Sequence, residues 1–149
     1  MKVFFSFTFI LVFLLNTGEL TSAVQPPYEL VVKDTSGGPT SPKILVVKEA
    51  QTLKEFYREV NKTRRPGLAI PNVDFNNEFI VILCMGTVMT IGHEVTINDI
   101  KKSANGLTVF VEETRPDEKE KLAKVRNEPF SVYRIKGNYK NVRFEKRTP

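Results

Sequence analysis

Several residue types that support particular chemistries are scarce or missing in this chain of 149 residues, which has one cysteine, one histidine and no tryptophan. A single cysteine forms no intramolecular disulfide, and Cys84 lies within the apolar run FIVILCM, where a small thiol packs well in a core. His93 alone cannot make a histidine-based metal site, because two or three further ligands would have to follow at short spacing. We therefore expect neither a disulfide nor a metal site.

Sequence motifs of nucleotide-binding and catalytic sites are also missing. The chain contains neither G-x-x-x-x-G-K-[ST] nor G-x-G-x-x-G, the loops that surround phosphates. It has no G-x-S-x-G, and HEVTI, which begins at His93, lacks the second histidine of H-E-x-x-H. A Ser-His-acid triad assembled from distant residues stays open. The prediction is a protein without catalytic residues and without a cofactor.

The excess of positive charge is small and dispersed. The chain has 22 basic and 17 acidic residues, a net charge of +5, with basic groups at Lys62–Arg65, at Lys101–Lys102 and in the C-terminal KNVRFEKRTP. A nucleic-acid-binding domain usually gathers such charge on one element and interleaves it with aromatic residues. We therefore expect a solvated basic surface and no nucleic-acid partner; an acidic protein or an anionic envelope is the open alternative.

The first 23 residues have the plan of a secretory signal peptide. Lys2 supplies a positive charge, Val3–Leu15 form an apolar run, and NTGELTSA ends in small residues, which predicts cleavage after Ala23. The apolar run is shorter than the roughly 20 residues of a membrane-spanning helix. We expect an exported protein, periplasmic or extracellular, that has no membrane span.

The remaining residues predict an α+β fold, a largely antiparallel sheet of sandwich or barrel form with one amphipathic helix. Residues 24–42 are expected to form a leader strand and a loop, and residues 43–149 a single domain. Strands are predicted at Glu29–Lys33, Lys43–Lys48, Phe79–Met85 (central, covered on both faces), His93–Glu113 (a hairpin turning at Asn105 and Gly106), Pro129–Ile135 and, shorter, Val142–Phe144. RPDEKEKLAKVRNEP, between the hairpin and Pro129, is open between helix and extended chain.

The helix is predicted within AQTLKEFYREVNKTRRPG. Its apolar stripe falls at i, i+3, i+4 and i+7 and consists of Leu53, Phe56, Tyr57 and Val60. Thr52, followed three residues later by Glu55, predicts a capping box at the start of the helix. Pro66 and Gly67 are predicted to end it.

The candidate interaction loop, GTVMTIGH, joins the central strand to the hairpin. It consists of Gly86, Thr87, Val88, Met89, Thr90, Ile91, Gly92 and His93. Val88, Met89 and Ile91 are apolar side chains that surface loops usually lack. Either they are tucked onto the end of the sheet or they form a surface for another protein. His93 either begins the inward row of Val95 and Ile97 or serves a partner contact or a pH response.

The order of these motifs resembles the C-terminal domain of PrcB-like proteins, exported bacterial proteins named for a subunit associated with a surface protease complex. The family pattern is F-x-x-E before an apolar strand, a G-x-x-P-T-G-G-Y-x-V loop and strand, a hairpin, E-x-x-P and a P-[FY] strand. The matching residues are Phe75, Glu78, Gly86, Thr90, Gly92, Val95, Pro116, Pro129 and Phe130, within a resemblance from about Lys43 to Ile135. The family pattern favours an extended EKLAKVRNE.

Three residues of the loop depart from the family pattern. Met89 replaces Pro, Ile91 replaces the first Gly and His93 replaces Tyr. If the family makes a contact through T-G-G-Y, we expect that contact to be altered or lost in this protein.

The resemblance implies a non-enzymatic, exported protein-interaction domain that stabilises or regulates a protease, its suspected partner. A looser similarity links Thr90, Gly92 and His93 to the NPTTGY loop of chagasin-type inhibitors, which implies a direct protease inhibitor as the alternative. An envelope structural or carbohydrate-binding module is a third possibility, disfavoured by the lack of tryptophan. The sequence does not predict the oligomeric state.

Overall fold

The computed structural model describes residues 27–104, 106–117 and 122–147. The predicted signal peptide and Asn105 of the predicted turn lie outside these residues. In chain order the elements are β1 (Tyr28–Asp34), β2 (Lys43–Val47), α1 (Ala50–Val60), β3 (Glu78–Cys84), β4 (Glu94–Ser103), β5 (Gly106–Thr114), β6 (Phe130–Lys136) and β7 (Val142–Arg147). The α+β prediction, mostly strand with one short helix, is confirmed.

Two sheets pack face to face. The first has the strand order β1-β6-β3-β2 and is antiparallel throughout, while the second has the order β4-β5-β7. The β4–β5 hairpin is antiparallel, as predicted, but β7 runs parallel to β5. Between β5 and β7 the chain crosses to the first sheet to form β6. It changes direction once before β6 and once after it, so β7 runs in the same direction as β5. The described strands thus form two open sheets, a sandwich rather than a barrel.

The central strand β3 supplies both cores of the molecule. Phe79, Val81 and Leu83 lie in the core between the two sheets, together with the inward residues of the hairpin. Ile80, Ile82 and Cys84 lie in a second core, beneath α1. A strand that is covered on both faces has no polar side, which is why FIVILC shows no alternation.

The apolar stripe of the helix is confirmed. Leu53, Phe56, Tyr57 and Val60 are all buried, between 1% and 7% exposed, and pack on β3 and β6 through the second core. Burial raises the pKa of Tyr57 to about 12. Docking of this stripe on the sheet stabilises a helix that is too short to be stable alone.

Both predicted ends of the helix are wrong. Helix α1 begins two residues before Thr52, because Glu49, two residues after the end of β2, is extended (φ −148°, ψ 148°) and is the N-cap, without a side-chain capping bond. The hydroxyl of Thr52, inside the first turn, donates to Glu49 Oε1 at 3.2 Å instead. At the other end, Asn61 caps the helix, and its side-chain amide accepts from the Leu68 N–H and donates to the Leu68 carbonyl. Asn61 therefore ends the helix well before Pro66.

The four other predicted strands, which are β1, β2, β6 and β7, are confirmed with shifted ends. The strand predicted from Pro129 is β6, and the predicted VRF strand extends to Arg147 as β7. Within the described residues, no helix has the length and apolar character needed to cross a membrane.

We expect Ile82→Ala to lower the free energy of unfolding by about 2–5 kcal/mol, because the lost side chain leaves a cavity in a packed core. Ile82 is fully buried. The matched control is Ile70→Ala, since Ile70 is 46% exposed and should change stability little. Urea unfolding followed by circular dichroism measures both. Equal, small losses in the two variants would show that the β3 core is not tightly packed.

Candidate interaction loop

Three connections meet at one end of the first sheet. They are residues 86–93 (the interaction loop), residues 35–42 between β1 and β2, and residues 122–129 before β6. The Thr87 N–H donates to the Thr40 carbonyl at 3.0 Å, and the Gly38 N–H donates to the Glu128 carbonyl at 3.0 Å. Each connection is therefore bonded to a neighbour along its backbone.

Gly86 begins the interaction loop at a position that favours glycine. Its φ of +80° is in the left-handed region, and a Cβ there would lie 2.7 Å from Pro42 Cδ. Gly92, near the other end of the loop, has φ +88°, and its Cβ would meet Pro116 at an ordinary 3.4 Å. The loop thus turns at two glycines, and the first is also pressed against the start of β2.

The middle of the loop is bonded to Asn127. Val88 and Asn127 form an isolated antiparallel bridge with N–O distances of 2.8 and 2.9 Å. The buried side chain of Asn127 donates to the carbonyls of Thr90, at 3.3 Å, and Val125, at 3.1 Å. Val88 itself is half-buried against the core between the sheets. Residues 122–126 form no regular element, and the described part of the segment, without 118–121, contains no helix.

Sequence reasoning missed Asn127. It stands in the segment left open between helix and extended chain, and nothing local marks it as a residue that bonds to a distant loop. Its role depends on the approach of two segments about 40 residues apart in the chain, for which a single sequence carries no signal.

The apolar residues of the loop divide into buried and exposed. Val88 is tucked onto the core, whereas Met89 is 62% and Ile91 45% exposed. Val125 is 45% exposed, and its carbonyl and that of Thr90 both accept a hydrogen bond from Asn127 Nδ2. We name Met89, Ile91 and Val125 the apolar patch. Thr87 and Gly92 are exposed beside it.

His93 lies just before β4 and is half-buried. Its Nε2 is 2.8 Å from Thr90 Oγ1, and its Nδ1 is buried without a hydrogen-bond partner among the described residues. Burial, with a smaller contribution from Arg115, lowers the pKa of His93 below its ordinary value. The imidazole is therefore neutral at neutral pH, and its bond to Thr90 closes the end of the loop. A cavity of about 60 Å³ adjoins both side chains.

Neither a reactive thiol nor a group of metal ligands lies among the described residues around the loop. Cys84 is 5% exposed and lies under α1, and burial raises the pKa of its thiol to about 11, so the reactive thiolate does not form at neutral pH. In residues 27–104, 106–117 and 122–147, no three His, Cys, Asp or Glu side chains are grouped to hold a metal ion.

Comparison with known families identifies one segment. Residues 79–136 match the family model described as PrcB C-terminal. The match runs from β3 to β6 and includes the interaction loop and Asn127, so the PrcB-like resemblance is confirmed over this segment. No curated protein and no solved structure matches the chain, and the chagasin-type similarity of the loop has no support from a match.

The departures from the PrcB-like loop pattern coincide with particular places in the structure. Met89 and Ile91, which replace Pro and Gly, are the two most exposed apolar side chains of the loop. His93, which replaces Tyr, bonds to Thr90. The changes thus alter what the loop shows to solvent, while its bonded backbone and its two end glycines are present.

Alanine substitutions at the two glycines should separate backbone strain from crowding. The left-handed φ costs about 1–2 kcal/mol for a residue with a Cβ, so Gly86→Ala and Gly92→Ala should both lower the free energy of unfolding. Gly86→Ala should lower it more, because its Cβ also meets Pro42 at 2.7 Å. Urea unfolding measures both. A larger loss for Gly92→Ala would contradict the packing of the loop on β2.

His93 should make folding stability fall in mild acid. Its pKa is lowered in the folded state, while the unfolded chain has a pKa near 6.5, so the unfolded state binds more protons as the pH falls below about 7. The contribution of the neutral imidazole to the free energy of unfolding is full above about pH 7. It is lost as the pH falls toward the pKa that His93 has in the folded state. Urea unfolding at pH 8, 7 and 5 should show a greater loss at pH 5 for the wild type than for His93→Gln. Parallel curves would contradict the assignment.

Proposed function

We propose that this protein is an exported, non-enzymatic protein-interaction domain that associates with a protease complex through the apolar patch. The observation that carries the proposal is the 62% exposure of Met89 on a loop whose backbone is bonded to both neighbouring connections. The PrcB C-terminal match of residues 79–136 supports a protease-associated role. Export is supported by the signal-peptide pattern of the first 23 residues.

The bonding of the loop favours its use as a binding surface. A segment that is already ordered loses less conformational freedom when a partner binds, so more of the contact energy remains as affinity. The bridge to Asn127 and the Thr87–Thr40 bond supply that order. Clustered exposed apolar side chains are typical of protein–protein contact sites, and the flexible thioether of Met89 adapts to the shape of a partner.

Positive charge borders the apolar patch. Arg126 follows Val125 and is 62% exposed at its side chain, although Glu128 pairs with it at 2.9 Å. Arg115, 70% exposed and paired with Glu113 at 3.2 Å, precedes Pro116, which lies against Gly92. Such a polar rim around an apolar centre is common in interfaces. It favours a partner that has an apolar pocket with acidic groups at its edge.

Affinity capture tests the interface. Tagged protein, expressed in its own organism and cross-linked in the envelope, should retain a partner identified by mass spectrometry as a protease or a protease-complex subunit. Met89→Asp combined with Ile91→Asp should reduce recovery of that partner at least tenfold, because two charges would be buried without a partner.

The control for affinity capture is Ile70→Asp, an equally exposed residue before β3 and outside the three connections, at 46%. It should leave recovery unchanged. A partner list that is the same for the wild type and the loop variant, with circular dichroism showing both folded, would exclude the patch as the interface.

Direct inhibition of a protease is the second candidate function. The observation that favours it is the same ordered loop presenting Met89 to solvent, since an inhibitory loop must hold its shape in a protease cleft. Purified protein titrated against papain-like and subtilisin-like proteases would then inhibit stoichiometrically, and the loop variant would not. Unchanged protease activity at micromolar excess would exclude inhibition while leaving the accessory role intact.

A further inference from the structure

The two long sides of the sandwich are closed to different extents. On one side, β1 is tied to β4, since Lys33 Nζ lies 2.8 Å from Glu94 Oε2 and the Tyr28 hydroxyl donates to the Asn98 carbonyl at 3.2 Å. On the other side, a groove of about 520 Å³ separates β2 from β7. Its lining residues are Val46, Lys48, Glu49, Thr52, Lys140 and Val142. We name this space the β2–β7 groove.

The floor of the groove is an unprotected strand edge. Strand β2 pairs with β3 on one side, and in the described part of the chain no strand pairs with its other side. Ile44 and Val46, on the same face of this edge, are each 37% exposed. An apolar edge strand with free backbone groups readily accepts another extended chain. Natural folds usually cover such an edge or place charges along it.

The charges at the groove favour a negatively charged occupant. Lys48 and Lys140 both line it. Lys48 Nζ donates a hydrogen bond to the Tyr139 carbonyl at 2.7 Å. The Lys140 ammonium group makes no hydrogen bond or ion pair with the described residues. Helix α1 also begins here, without a side-chain capping bond and without an acidic residue in its first turn. The positive end of its dipole therefore adds to the two ammonium groups. Glu49, the one carboxylate among the lining residues, accepts from Thr52.

We infer that β2 accepts an extended segment of a partner protein as an added strand. The segment would place an apolar side chain against Val46 and Val142 and a carboxylate beside Lys48 and Lys140. The backbone edge of β2 would supply hydrogen bonds independent of the partner's sequence, while the groove and the lysines would select for alternating apolar and acidic residues.

The charge pattern disfavours a second copy of this chain as the occupant. Two β2 strands paired antiparallel about Leu45 would bring Lys43 of one copy next to the Val47–Lys48 end of the other. Like charges so close across a strand pair are destabilising. An acidic segment meets no such repulsion.

This surface is separate from the apolar patch. Gly86 of the interaction loop packs on Pro42, directly before β2 begins, whereas the groove is lined by Val46 and Lys48, at the other end of β2. The two surfaces are therefore at opposite ends of β2, and the inference does not depend on the proposed function.

Two labelled peptides test the groove. One is a blocked nonapeptide that alternates glutamate with valine and threonine, and the other has lysine in place of each glutamate. Fluorescence anisotropy with the secreted protein should show the acidic peptide binding at least tenfold more tightly. Lys48→Glu with Lys140→Glu should reverse the preference, and Lys140→Glu alone, which breaks no contact of the described residues, should weaken acidic-peptide binding in the same direction.

The control variant has the same change in net charge as the groove double variant, but at a site outside the groove. Lys101→Glu with Lys102→Glu changes the net charge equally on the hairpin, outside the groove, and should leave the preference for the acidic peptide. Amide chemical shifts measured with the acidic peptide should change along β2 and at the start of α1, and remain constant in the interaction loop.

Three results would overturn the inference. One is the absence of binding at millimolar acidic peptide. Another is an equal loss of acidic-peptide affinity in the groove and hairpin variants, which would indicate that net charge alone determines binding. The third is a dimer, detected by light scattering after gel filtration, that Val46→Lys dissociates, because a second copy would then occupy the groove.

Discussion

The burial of β3 on both faces is the constraint on which the rest of the structure depends. One face of this strand forms the core with the second sheet, and the other forms the core with α1. Neither the helix nor the hairpin has an apolar surface of its own large enough to fold alone, so each depends on its side of β3. The strand ends at Cys84, and its direction delivers the next residues, the interaction loop, to one end of the sandwich.

At that end, a buried amide joins two of the three connections. Asn127 bonds to Val88 through its backbone and to the Thr90 and Val125 carbonyls through its side chain. Because a buried amide must satisfy its hydrogen bonds, these contacts hold the loop in one arrangement. The exposed side chains of Met89 and Ile91 are therefore presented from a backbone that is hydrogen-bonded to its neighbours.

The two candidate surfaces use different physical means of recognition. The apolar patch offers exposed apolar side chains on a loop whose backbone at Thr87, Val88 and Thr90 is already bonded to the neighbouring connections. The β2–β7 groove offers backbone groups instead, along the edge of β2 that pairs with no described strand, with two lysines beside it. A partner that contacts both ends of β2 would be held in a defined orientation.

The sequence by itself determined the elements whose signals are local: the two-sided apolar run of β3, the stripe from Leu53 to Val60, the hairpin and the glycines of the interaction loop. Local signals also gave two wrong helix ends. The T-x-x-E pattern predicted Thr52 as the N-cap, but the extended Glu49 is the N-cap, and Asn61 ends the helix before Pro66. Tertiary structure alone decided the parallel β5–β7 pair, the bond between Asn127 and the loop, and the open groove. Each joins segments that are far apart in the chain, and a periodic pattern reports which side of a segment is buried but not which segment covers it.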